Sequence, residues 1–448
     1  MHALASNRIH LSDHFTSGKL LRFVMPTVLM MLFTSMYGVV DGLFVSQYSG
    51  KEAFAAITLI VPLPLLMGAV AYMIGAGGSA VIAQALAAGK KEEANGYFTF
   101  LTLISIVGSL ILVILGEALL APCARLMGAN DELLPYCEQY GRILISALPF
   151  YVLQNVFQSF LTVAERPMIG LAVNLFSAFL NMALNFVFIH FAGHVITAVA
   201  LATVVSQIVG GVLPFLFFTR KQHRALQYAR PKMSGKMLGQ VFANGVSEFV
   251  SEIFHPLASV MYNYKLMELA GINGVAAYGV LMNVGFLFGA VFLGFAVGSA
   301  PIFSYKYEKK DREELHSLFR LSAITVVVMG FILYGIAVMI EGPFAAVFFG
   351  SDELLLTMTE EGFALHSKSY MVMGLAVFAS AFFTSLHDSK SSALIAFLRT
   401  LLFEVLAILL LPMFFDLNGV WAASLTSEIL SLFVTIFLLA RKRKEYGY

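Results

Sequence analysis

The chain has 448 residues, of which 59% are hydrophobic and 12% charged, with 28 Lys and Arg against 27 Asp and Glu for a net charge of +1. A soluble domain carries roughly 25% charged residues, so this sequence cannot cover a water-facing surface, and its mean hydropathy of +0.83 points to a bilayer. The near-neutral balance, without a basic patch interleaved with aromatics, excludes nucleic acid as a partner, and the apolar runs lack the alternation of a membrane barrel.

The polar start MHALASNRIHLSDHF reads as no cleavable signal, with the first span directly behind it. Breaks at Gly, Pro and charge clusters then predict twelve helical spans, each near the ~20 apolar residues that cross a bilayer. In span one, Thr34, Tyr37 and Asp41 recur at helical spacing and Pro26 lies near the start. Proline removes a backbone hydrogen bond, so a bend is expected near residues 22–26. Asp41 costs about 2.5–3.5 kcal/mol to insert, and such a cost usually marks function. Cys123 and Cys137 flank the loop after span three, either as a disulfide or as two thiols.

Span four carries Gln154, Asn155, Gln158 and Thr162, and span five Asn174, Ser177, Asn181 and Asn185. Polar side chains at helical spacing tend to avoid lipid. They are expected to line one polar chamber in the N-terminal half; the alternative is interhelical hydrogen bonding worth under about 1 kcal/mol each. The polar stretch 219–236 divides the chain into a six-helix half at 1–218 and another at 237–448.

Span seven, GVSEFVSEIFHPLASVMYN, places Glu248 and Glu252 one turn apart, with His255, Ser259 and Asn263 extending the stripe. Two carboxylates at that spacing near mid-bilayer should not both ionise without a cation, and a structural cluster of Glu252 with His255 is the alternative. Asn283 in span eight joins the expected chamber lining. In span eleven Arg399 and Glu404 lie about 140° apart around the helix. They read mainly as structural ions, either of which would neutralise a span-seven glutamate.

Orientation follows from Lys and Arg. With both termini cytoplasmic, only Lys51, Arg125, Arg142, Lys265 and Lys368 fall outside, Arg399 falls within a span, and the rest fall inside. The halves repeat. A shift of 221 without gaps matches ten of 44 positions from Gly50 to Glu93, among them Gly68, Ala69, Val70, Gly77, Glu92 and Glu93. Two parallel halves with a substrate path between them is a transporter architecture.

These residues carry a resemblance. Pro26 and Asp41 in span one, GAGGSAVIAQALAAGKKEEA at 75–94, LPF at 148–150, ERP at 165–167 and LNMALNFVFI at 180–189 together resemble the bacterial MATE family of multidrug and toxic compound extrusion transporters. The resemblance implies an all-α membrane protein of two pseudo-symmetric six-helix bundles. It also implies cation coupling at Asp41 and helix bending at Pro26. Family members often carry an aspartate where Asn185 stands, and a span-ten aspartate completing a site with the span-seven glutamate. Span ten has no acid between Glu361 and Asp388.

The expectation is a secondary antiporter of the plasma membrane that exports lipophilic, often cationic molecules in exchange for protons, working as a monomer without cofactor. Sodium coupling, or flipping of a lipid-linked oligosaccharide, are the rival readings. No GxxxxGK[ST] for ATP, no HExxH or GxSxG and no metal-ligand spacing occur, so an enzyme is not expected.

Overall fold

A computed structural model describes residues 13–164, 166–191, 194–219, 226–350 and 352–448, which are helical nearly throughout and contain no strand. Among them the chain forms twelve spans. The helix Ser17–Ile60 is broken at Gly50, whose φ of 85° suits glycine, and ends span one there. Pro62–Gly68 and Val70–Ala87 complete span two. Lys91–Leu126 is span three. Span four is Leu134–Ser146 and Leu148–Val163, bent by 49°. Pro167–Phe191 and Val195–Thr219 are spans five and six.

The 74-residue helix Gly235–Glu308 is broken at Gly271, with φ of 61°. A straight helix of that length would run about 110 Å, several bilayers thick, so it holds spans seven and eight. Arg312–Phe349 is span nine. Span ten joins Glu353–His366 to Tyr370–Ser385 through a 3₁₀ turn. Span eleven, from Ser389 to Leu410, contains a π-helical turn at Leu398–Phe403, and Pro412–Tyr446 is span twelve, broken at Asp416.

The repeat read from the sequence is visible here. Gly50 and Gly271 occupy the same repeat position and break the helix in the same place. Helical geometry continues through Pro26, and Gly50 is the residue of Ser17–Ile60 that leaves it. Cys123 and Cys137 are free thiols, and the buried Cys137 donates to the Ala56 carbonyl at 3.5 Å.

The chain divides into two compact units. One is Tyr37–Gly279; the other joins the described residues up to Met36 with Val280–Tyr448. In the first, Phe98, Phe157, Phe160 and Phe218 form a buried aromatic core. The Phe98 and Phe218 rings are 4.8 Å apart, and Tyr228, from the segment before span seven, packs with its ring 5.0 Å from that of Phe98. In the second, Phe303, Phe378 and Phe382 play that part, and Tyr448 packs against Phe319 and Phe382 at 4.7 and 4.8 Å.

These units do not divide at 218 and 237. Span seven belongs to the first unit and packs with span two, and the start of span one packs with span eight. Glycines explain both. A Cβ at Gly77 would strike the Val241 carbonyl, and one at Gly245 the Met73 carbonyl, so spans two and seven touch backbone to backbone. Gly294 meets the backbone of Thr27 and Val28 in the same manner, and Gly298 makes room for the side chains of Val24 and Thr27. Outward-facing Leu110, Ile111 and Ile114 on span three, and Phe331, Ile332 and Met339 on span nine, remain exposed, as a lipid-facing surface requires.

Candidate functional site

The only intramembrane acid of span one is the centre of a buried hydrogen-bonded cluster. Asp41 is 7% exposed. Its Oδ1 accepts from the Asn185 amide, and its Oδ2 accepts from the Thr203 hydroxyl at 3.0 Å. Asn185 spends its second N–H on Asn181 Oδ1 at 3.2 Å, and Asn181 donates to Thr203 Oγ1 at 3.1 Å. Asn181 and Asn185 fall one turn apart, so span five presents both on one face. Thr203 comes from span six, where a small apolar run, AVALATVV, lets the helix approach.

Two donors of this set, the Asn185 amide and the Thr203 hydroxyl, end on the carboxylate. An ionised Asp is acceptor-only, and this arrangement offers it an amide N–H and a hydroxyl. A protonated Asp41 would instead need an acceptor. Asn185 Oδ1 is such an atom, since it is buried and has no partner among the described residues. The carboxylate therefore ties spans one, five and six together in its anionic form, and a proton or other cation on it must rearrange those ties. Asp41 lies nine residues before Gly50, Asn185 six before Phe191 and Thr203 eight past Val195. All three are thus within about 14 Å of the same end of their helices, opposite the N-terminus.

The expected single chamber stripe resolves into two clusters. Gln154 Nε2 donates to Asn174 Oδ1 at 2.9 Å, and Asn174 Nδ2 to Gln158 Oε1 at 2.6 Å. Asn174 is eleven residues from Asn185 along span five, about 16 Å away, so the two networks do not share partners. Asn155 turns back to the Tyr151 carbonyl at 2.9 Å, and Thr34 to that of Met30 at 2.9 Å. The Tyr37 side chain lies outside the described residues, as do Glu165 of the ERP motif and residues 220–225 of the linker.

Asn263 is fully buried and donates to the Thr58 carbonyl at 3.0 Å, while Asn283 is buried in span eight. Glu248 and His255 are exposed and Glu252 half-buried. Glu252 lies within electrostatic reach of Glu248 and of the half-buried Tyr151, whose hydroxyl is 3.5 Å from that of Tyr72. No group of three or more His, Cys, Asp or Glu that could hold a metal is present among the described residues.

Arg399 has its carboxylate partner within the second unit. It pairs with Glu428 of span twelve, Nε to Oε1 at 2.8 Å. Glu404 is half-buried and has an interaction as well. Two residues escaped the sequence reading. Thr203 carried no signal beyond one polar residue in an apolar run, and Glu428 was legible as an acid within the last span, LTSEIL.

A model of the MatE family matches the chain twice, over residues 26–187 and 249–409, which is most of its length. The chain belongs to the MATE family. The two matches fall on the two repeats. Among curated relatives of this MATE protein, the multidrug export protein MepA of Staphylococcus saprophyticus is 22% identical over 432 residues, covering 94% of this chain and 91% of that protein. MepA of Staphylococcus aureus strain MRSA252 is 20% identical over 424 residues, covering 94% and 91%.

A solved inward-facing multidrug resistance MATE transporter of the MOP superfamily superposes with a TM-score of 0.84 at 21% identity, over 92% of this chain and 94% of that one. A MOP superfamily transporter from Pyrococcus furiosus gives 0.75 at 20% identity, over 96% of each. The fold is therefore that of a multi-pass membrane transporter.

Proposed function

We propose that this MATE protein is a multidrug efflux antiporter of the plasma membrane, with both termini cytoplasmic. It exchanges lipophilic, often cationic molecules for protons by alternating access. The observation that carries the proton reading is the Asp41 cluster, a lone buried carboxylate held by Asn185 and Thr203 near one membrane face. The likeness to MepA, named for multidrug export, supports the substrate class.

A proton entering from outside neutralises Asp41 and frees Thr203 and Asn185, so spans one, five and six repack. Release to the other side restores the anion and the ties. Substrate and proton disfavour one another, and by linkage the effect is reciprocal. Sodium is the second reading, favoured by the unpartnered Asn185 Oδ1 beside the carboxylate, since sodium binds oxygen. One carboxylate with neutral oxygens makes the weaker cage. The Phe, Tyr and Met side chains suit flat cations through adaptable packing and cation–π contact. The protein acts as a monomer in the lipid bilayer, with small molecules as its partners.

Ethidium movement in proteoliposomes under an imposed pH gradient or an imposed sodium gradient separates the readings. The pH gradient alone drives wild-type transport, and Asp41→Asn falls to the level of empty liposomes. Transport that needs sodium and ignores the pH gradient would reassign the ion.

A further inference from the structure

Span twelve carries a second intramembrane carboxylate. Glu428 stands twelve residues past the break at Asp416, about 18 Å along the helix and so near mid-bilayer. It is 5% exposed and accepts from Arg399 through one oxygen only. Arg399 sits in the π-helical turn Leu398–Phe403, and Ser427 Oγ donates to its carbonyl at 2.9 Å. Such turns open the regular ladder and recur at functional sites.

A carboxylate serving only to neutralise an arginine is commonly held by both oxygens, in the bidentate fork. Here Oε2 is buried and has no partner among the described residues. The same is true of Trp421 Nε1, Ser431 Oγ and Thr435 Oγ1. With Glu428 they fall seven, three and seven residues apart, on one face of the helix. Span ten packs against span twelve and contributes Ser367 Oγ and Tyr370 Oη, buried and without partners as well. Buried polar atoms are normally satisfied, by ordered water where protein offers nothing. A row of them along a span is where ordered water would satisfy them.

We propose that Glu428 is a second proton-binding carboxylate, loaded along this polar face of span twelve and coupled to its pairing with Arg399. A proton passing from water to Oε2 makes the carboxyl neutral. The ion pair is lost, and the guanidinium, 18% exposed, turns toward its open side. Returning the proton to water restores the pair, so proton occupancy reads out as the tie between spans eleven and twelve. Arg399 is the charged group acting on Glu428. Span ten turns His366 toward Tyr370. The proposal rests on the ion-coupled reading above but concerns a different group from Asp41.

Trp421 is the single tryptophan of the chain and lies two turns from Glu428 on the same face. Its emission in purified full-length protein in nanodiscs is followed through the neutral and mildly acidic range. A one-proton transition is expected in wild type and in Asp41→Asn, lost in Glu428→Gln, and moved in midpoint in Glu428→Asp. No transition in wild type, a transition that survives Glu428→Gln, or one lost in Asp41→Asn overturns the proposal. Should Glu428→Gln fail gel filtration, an unmoved midpoint in Glu428→Asp does the same. Transport by Asp41→Asn is scored separately, so failure at either carboxylate is distinguishable.

Discussion

At the scale of single residues, Asp41 and Thr203 differ in what their loss should do. Thr203 donates to the carboxylate and accepts from Asn181. A hydrogen bond to a charged group contributes about 1.5–3 kcal/mol net. Thr203→Val removes it while keeping the shape, so thermal stability in nanodiscs falls by an amount within that range and transport slows without vanishing. Thr203→Ser keeps the hydroxyl and recovers both. Equal stability in Thr203→Val and wild type would mean the hydroxyl does not hold the carboxylate.

Glu93 poses a different test, because it sits outside the membrane. Its side chain accepts from Lys232 Nζ at 2.7 Å, and that hydrogen bond and charge hold its carboxyl below the usual glutamate value. A depressed folded value gives stability that is fully present above the ordinary glutamate value and is lost as pH falls through the folded one. Wild type should therefore lose thermal stability in that acidic window, and Glu93→Gln should lose less. Because the pair is exposed, the difference is small and shrinks with salt.

At the scale of elements, the repeat makes paired predictions. Glu93 and Glu314 are repeat equivalents, and each receives the chain segment that leads into a first span. Glu93 takes Lys232 ahead of span seven, and Glu314 takes His14 Nδ1 at 2.6 Å and the Phe15 amide at 2.9 Å ahead of span one. Gly77 and Gly298 are equivalent as well, and each lets a neighbouring span touch its backbone. Added side chains in a packed interior cost about 1–3 kcal/mol. Gly77→Ala and Gly245→Ala should each lower the melting temperature more than Gly239→Ala, whose Cβ would meet nothing. A mutant series in which all three melt alike would deny the close crossing of spans two and seven.

The sequence showed the elements well and their partners poorly. Span count, repeat and the placing of Asp41 inside a span were all legible, because length, hydropathy and a charge in a lipid segment are local properties. The pairing of Arg399 was not, since Glu404 is near in sequence and Glu428 near only in space. Asn185 was read as a departure that leaves the site one carboxylate. Its amide turns out to be a donor to that carboxylate, a role that needed Thr203 and Asn181 in place to be seen.

At the scale of the whole molecule, transport as proposed requires that the Asp41 cluster exchange a proton in opposition to substrate. Linkage gives this a form that needs no gradient. If substrate and proton exclude one another, adding ethidium to purified protein in weak buffer must release protons. Wild type should release them in proportion to substrate bound, and Asp41→Asn should bind ethidium while releasing fewer. Undiminished release from Asp41→Asn, or none from wild type, would contradict the account.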